Sequence, residues 1–203
     1  MAEILRIDPL HPPARVIAEA KRVIQAGGVI IYPTETLYGL GANPFDPAVM
    51  ERLYAIKGRG AAKPIPFLIK DYEMLESLVA EVPPVAGELM EQYWPGPLTL
   101  IFKAKEGLPP ALRGKDGTIG LRISSHPIAQ GICAQLSAAL TATSANRSGE
   151  EDLVDVKHIA AILGDRVDLI IDGGTVSGIG STVIDLTVAP PRIVRQGVIT
   201  ISI

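Results

Sequence analysis

Lys57, Arg59 and Lys63 fall within seven residues of one another, in the run Ile-Lys-Gly-Arg-Gly-Ala-Ala-Lys-Pro, although the 203-residue chain carries a formal net charge of −3. A lysine offers a compact point charge and an arginine a planar fork, two complementary ways of holding a phosphate or a carboxylate. Two other stretches gather hydroxyls, amides and glycines. One is Thr34-Glu35-Thr36-Leu37-Tyr38-Gly39-Leu40-Gly41, and the other runs Thr143-Ser144-Ala145-Asn146-Arg147-Ser148-Gly149. Arg122 stands in the alternating run Thr-Ile-Gly-Leu-Arg-Ile-Ser, which places Thr118, Gly120, Arg122 and Ser124 on one strand face. An arginine there needs an anion, from a structural carboxylate or from a ligand. Each feature alone also has a plain reading as a solvated loop or a turn.

Other chemistries are missing their parts. Gly173 to Gly178 has the glycine spacing of a phosphate loop, but Ile179 and Gly180 stand where lysine and serine or threonine are required. Gly178-Ile179-Gly180 opens a dinucleotide pattern that breaks at Val183 and leads into a strand-like run. His11, His126 and His158 are far apart, and Cys133 is the lone cysteine, in an apolar helical context that suits a buried spectator. No Gly-x-Ser-x-Gly elbow is present, and Ser177 in Val-Ser-Gly-Ile-Gly echoes it only weakly. What remains is suited to polar ligand binding and electrostatic transition-state stabilisation rather than covalent catalysis.

The elements that must position these residues alternate along the chain. Helical spacing of apolar residues over 12–26 ends at Gly27-Gly28, and a β-branched run over 29–32 reads as a buried strand. Asp46 caps a helix with Pro47 in its first turn, and that helix delivers the Lys57–Lys63 connection. Strands are expected over 65–69, 98–103, 118–124, 138–143, 167–171, 183–186, 193–197 and 198–203. Helices are expected over 72–80, 85–93, 127–136 and 156–163. This alternation indicates a single α/β domain around one sheet.

An apolar fraction of 47% with 20% charged residues is ordinary for a globular chain. No run approaches the roughly 18 uncharged apolar residues of a membrane helix. The N-terminal Met-Ala-Glu-Ile-Leu-Arg has no secretory leader pattern, so a cytoplasmic location without membrane contact is expected. The acidic balance supplies no global basic field, and any anion must be met by local charge.

Tyr32 to Gly41, Lys57-Gly58-Arg59, Ser144 to Gly149, Ser-Thr-Val-Ile-Asp-Leu at 181–186 and Arg195-Gln196-Gly197 together resemble, in order, the motifs of the YrdC family. The resemblance implies a YrdC-like fold, α/β or α+β by scheme, with one twisted mixed parallel and antiparallel sheet flanked by helices and a concave ligand cleft. It implies one domain over residues 1–203 without a C-terminal extension domain. It also implies an enzyme, an L-threonylcarbamoyladenylate synthase that joins L-threonine, bicarbonate or CO2, and ATP for the threonylcarbamoyl modification of an adenosine in tRNA. Magnesium would arrive on the ATP phosphates, and downstream threonylcarbamoyl-transferase proteins would receive the product. By the same resemblance, Lys57 and Arg59 act in catalysis and, with Lys63, Thr118, Ser144, Asn146 and Arg195, hold ATP; Thr36, Arg122, Ala142 and Ser181 hold threonine. Gly60, Ala62, Leu68 and Glu150-Glu151-Asp152 depart from commoner family patterns. A tRNA- or double-stranded-RNA-binding module without catalysis, and a carbamoyl-adenylate-handling domain of the hydrogenase-maturation kind, remain alternative readings.

Overall fold

The computed structural model describes residues 1–58, 65–114 and 116–202. Arg59 and Lys63 therefore lie outside the described residues. In chain order the strands and helices are β1 (Glu3–Arg6), α1 (Ala14–Gln25), β2 (Ile30–Pro33), β3 (Tyr38–Gly41), α2 (Pro47–Lys57), β4 (Phe67–Leu68), α3 (Tyr72–Leu78), α4 (Pro84–Tyr93), β5 (Leu98–Lys103), β6 (Thr118–Arg122), α5 (Pro127–Gln135), β7 (Leu140–Thr141), β8 (Thr143–Ser144), α6 (Val156–Leu163), β9 (Leu169–Asp172), β10 (Thr182–Asp185) and β11 (Arg192–Arg195).

The α/β alternation stands, but the strands expected in one sheet are divided between two. One sheet has the order β1-β9-β2-β3-β8 and the other β11-β10-β5-β6-β4-β7, each mixing parallel and antiparallel pairs. The reason lies in residues 138–143, expected as a single strand. Leu140 and Thr141 pair with β4, whereas Thr143 and Ser144 pair with β3. Between them the Ala142 amide donates to Pro66 O, so the chain passes from one sheet to the other at Ala142. The strand expected over 198–203 is also absent among residues 198–202. That segment is tied back by separate bonds, Val198 N to Gly180 O and Gln196 Nε2 to Ile201 O, without a ladder.

Strand β2 is buried throughout, as its continuous apolar run requires. Its side chains alternate between two cores: Ile31 joins the larger, with Leu98, Leu100 and Leu121, while Ile30 and Tyr32 join the smaller, built on α1 and α5. The Tyr38–Gly41 run, read from sequence as a connection, is a strand antiparallel to β2. Its glycines make room for Tyr32. A Cβ at Gly39 would lie 3.1 Å from the Tyr32 ring and one at Gly41 only 2.8 Å from it. Helix α2 starts and stops as its sequence dictates. The Asp46 carboxylate accepts from Ala48 N and Val49 N, and Gly58 closes the helix at φ 65°. The last helical residue is therefore Lys57. No helix of the described residues is long and apolar enough to cross a membrane.

Candidate functional site

A cavity of about 300 Å³ opens between the two sheets' shared connections. Its wall includes Thr36, Lys57, Arg122, Ala142, Ser144, Asn146, Ser181 and Arg195. Eight of the residues singled out from sequence are thereby brought together from β6, β11, the C-terminus of α2, the β2–β3 connection, the β7–β8 crossing and the glycine-rich connection before β10. Thr118 is not among them. It sits four residues before Arg122 on β6 and lines a neighbouring cavity of about 410 Å³, walled by Phe45, Tyr54, Pro110 and Leu112.

Lys57 is 2% exposed. Its Nζ donates to Ser144 O and to Asn146 Oδ1, both at 2.7 Å. Asn146 Oδ1 also accepts from Ser144 Oγ at 2.7 Å, and its Nδ2 donates to Glu150 O at 2.8 Å and Asp152 Oδ1 at 3.1 Å. Asn146 thus ties the lysine to the acidic segment that follows Gly149. Asp152 is the carboxylate among the described lining residues.

Arg122 is held from three directions. Nε donates to Gly96 O at 3.1 Å, in the Trp94–Pro97 turn, and Nη1 donates to Thr36 Oγ1 at 3.0 Å. Nη2 lies 2.7 Å from Glu35 Oε2 as an ion pair and is buried without another acceptor. A guanidinium with five N–H groups therefore keeps donors on its terminal nitrogens. Glu35 is fixed in turn by the Ser124 hydroxyl, which donates to Oε2, and by Ser125 N, which donates to Oε1 at 3.1 Å. Burial pushes the Glu35 carboxyl up, but the Arg122 charge and the Ser124 hydrogen bond outweigh it and hold it below the ordinary carboxylate value.

Arg195 reaches in from β11. Its Nε and Nη2 donate to Ser181 O at 3.1 and 2.8 Å, and Nη2 donates to Ser181 Oγ at 3.2 Å. The guanidinium lies over Gly180, where a Cβ would stand 3.0 Å from Nη2, so the small residue admits the cation. Desolvation lowers the Arg195 pKa, with the Asp152 charge opposing. Ser181 Oγ shares a hydrogen bond of 2.8 Å with Thr99 Oγ1. The glycine-rich connection is sewn to the β2–β3 connection: Tyr38 Oη donates to Gly174 O, and Ser177 Oγ donates to Thr36 O at 2.9 Å. Burial, with the Asp172 charge, pushes the Tyr38 hydroxyl up to about 12.

Glu35, Thr99 and Gly180 escaped the sequence reading as site residues. Glu35 carried a signal, an acid between two threonines, but its partner Arg122 is 87 positions away. Thr99 lies inside an ordinary apolar strand and carried none. Among the described residues no group of three or more His, Cys, Asp or Glu side chains is placed to hold a metal ion.

The Sua5/YciO/YrdC family model, described as telomere recombination, matches residues 22–197. Threonylcarbamoyl-AMP synthase of Pyrococcus abyssi is 39% identical over 175 residues, 86% of this chain and 52% of the relative. The chain thus spans about half the length of that protein. Threonylcarbamoyl-AMP synthase of Nitrosococcus oceani is 36% identical over 156 residues, 77% of this chain and 84% of the relative. The crystal structure of P. abyssi Sua5 complexed with L-threonine superposes with a TM-score of 0.90 at 36% identity, covering 97% of this chain and 57% of the other. Every residue named here on the wall of the 300 Å³ cavity falls inside the matched span. Fold, sequence and cavity agree on one assignment, and the chain belongs to the Sua5/YciO/YrdC family.

Proposed function

We propose that the chain is a threonylcarbamoyl-AMP synthase, a nucleotidyltransferase that makes threonylcarbamoyl-AMP and pyrophosphate from L-threonine, bicarbonate or CO2, and ATP. The observation that carries the reading is the meeting, in one cavity, of a buried arginine whose terminal N–H groups outnumber its protein acceptors and two further cations, Lys57 and Arg195. Relatives of half-matching and of comparable length bear that name.

In this reading the threonine carboxylate takes the remaining Arg122 N–H groups, Thr36 and Ser181 contact the rest of the amino acid, and the backbone at Ala142 closes the pocket. The threonine amine adds to the carbon of CO2 or bicarbonate, losing a proton, and in the bicarbonate case a hydroxide as well. The resulting carbamate oxygen forms a bond to the α-phosphorus of ATP as the bond from phosphorus to the bridging oxygen breaks. Pyrophosphate leaves with that electron pair. Lys57 and Arg195, joined by Arg59 and Lys63, neutralise the phosphates and the developing charge, while Ser144 and Asn146 set the Lys57 position. Magnesium would arrive with the ATP and would offset part of the phosphate charge that Lys57 and Arg195 meet. The apolar wall beside Thr118 suits a nucleobase, so ATP would extend from the cationic cavity towards Thr118. No protein nucleophile is needed; alignment of the carbamate supplies the acceleration. The adenylate then passes, in the cytoplasm, to a threonylcarbamoyl-transferase acting on tRNA, with direct contact to tRNA or double-stranded RNA as a further part of the reading.

The test is incubation with MgATP, bicarbonate and L-threonine, following pyrophosphate. Threonine-dependent release is expected. Release at an equal rate without threonine, or none with it, would contradict the reading.

A further inference from the structure

The three described cations of the cavity are compensated differently. Lys57 donates to Ser144 O and Asn146 Oδ1, and Arg195 donates to Ser181 O and Oγ, with the Asp152 charge acting on Arg195 from across the cavity wall. Arg122 faces a carboxylate at 2.7 Å, with side-chain exposures of only 7% for the arginine and 18% for Glu35. The carboxylate does not form part of the cavity wall; it stands behind Arg122, held by Ser124 and Ser125.

This arrangement matters because all three cations share one cavity, and ATP is a polyanion. Coulomb attraction grows with ligand charge and strengthens away from bulk water. An uncompensated guanidinium would therefore draw phosphate at least as strongly as an amino acid, since its fork fits either oxyanion. With Glu35 beside it the pair is close to neutral. A polyanion then gains little there, whereas a zwitterion still finds the directional N–H donors for its carboxylate. Discrimination of this kind, by withholding a favourable field from the wrong ligand, is a common route to specificity.

We propose that Glu35 is a specificity-determining positioning residue: it cancels the Arg122 charge, so that this part of the cavity accepts a zwitterionic amino acid and rejects phosphates, which are left to Lys57 and Arg195. The proposal rests on the threonine-and-ATP reading above and deepens it. It also accounts for the half-buried, hydrogen-bonded placement of an acid beside a cavity proposed to hold phosphates.

The experiment is calorimetric binding of L-threonine in the presence of inorganic phosphate or pyrophosphate, without turnover. In the wild-type protein neither anion displaces threonine, and competition at comparable affinity would overturn the proposal whatever any variant does. In Glu35→Gln, which keeps the shape and removes the charge, phosphate becomes competitive with threonine. The ratio of phosphate to threonine dissociation constants falls at least tenfold. Glu35→Asp, which keeps the charge one methylene further back, loses only a few-fold of that ratio, a rescue that a purely structural role for the side chain would not give. A folded Gln variant that discriminates like the wild type overturns the assignment. A wild-type protein that binds no threonine at all contradicts the function proposed above instead, so the two failures are distinguishable.

Discussion

At the scale of single residues, the proposed function divides the work between Arg122 and Lys57, and their removal should read differently. Arg122→Ala removes the carboxylate fork and leaves Glu35 without its cation. The threonine KM should rise on the order of 100-fold, as for other truncations of buried charge pairs, with a much smaller change in the ATP KM. The reverse pattern would contradict the division of ligands. Lys57→Ala should lower kcat about a hundred- to a thousandfold, the usual cost of losing one preorganised charge-stabilising donor. It should also cost roughly 1–3 kcal/mol of stability, because Ser144 O and Asn146 Oδ1 lose a buried donor. Steady-state kinetics and urea unfolding of the same preparation check both parts.

At the scale of elements, the glycines of β3 are packing residues as well as neighbours of the site. Gly41→Ala places a Cβ 2.8 Å from the Tyr32 ring and 2.9 Å from Ile30 Cγ1. Overpacking of this kind costs roughly 1–3 kcal/mol, and denaturant unfolding should show that loss while the ATP KM stays within about twofold of wild type. Local patterns in the sequence were enough to place α2 between Asp46 and Gly58, and α5 behind His126, because caps and periodicity are written in adjacent residues. They also placed Thr118, Gly120 and Arg122 on one face of β6, opposite the buried Ile119 and Leu121, although the strand stops at Arg122, short of the expected Ile123 and Ser124. Long-range pairing was not legible in the same way. Tyr38–Gly41 looked like a ligand loop because the tyrosine that demands its glycines belongs to the facing strand. The crossing at Ala142 depends on Pro66 and on partners in β3 and β4, none of them local. Glu35 was visible, but not the arginine that gives it a role.

At the scale of the whole molecule, the buried titratable groups set limits on stability at both ends of the pH range. Tyr38 ionises near 12 when folded against 10.0 unperturbed, and burial raises Tyr32 as well. The folded state thus holds protons that the unfolded state releases, so stability from these groups is complete below pH 10 and declines from there towards pH 12. Glu35 acts in the opposite sense. Its carboxyl is held below the ordinary value, so its contribution is present above the unfolded pKa and is lost as pH falls through the folded one. Thermal unfolding across pH should therefore decline on both flanks, and Tyr38→Phe should flatten the alkaline flank alone. The sheets, the crossing at Ala142 and the β2–β3 connection together bring residues separated by as many as 161 positions, from Thr34 to Arg195, onto one cavity wall. The central claim is that this wall joins an amino acid, a one-carbon unit and ATP. The most direct measurement is mass spectrometry of the nucleotide product formed from L-threonine, MgATP and isotopically labelled bicarbonate. The account predicts a threonine-containing adenylate that carries the labelled carbon, formed together with pyrophosphate. An adenylate without the label, or pyrophosphate formed with no such adenylate, would contradict it.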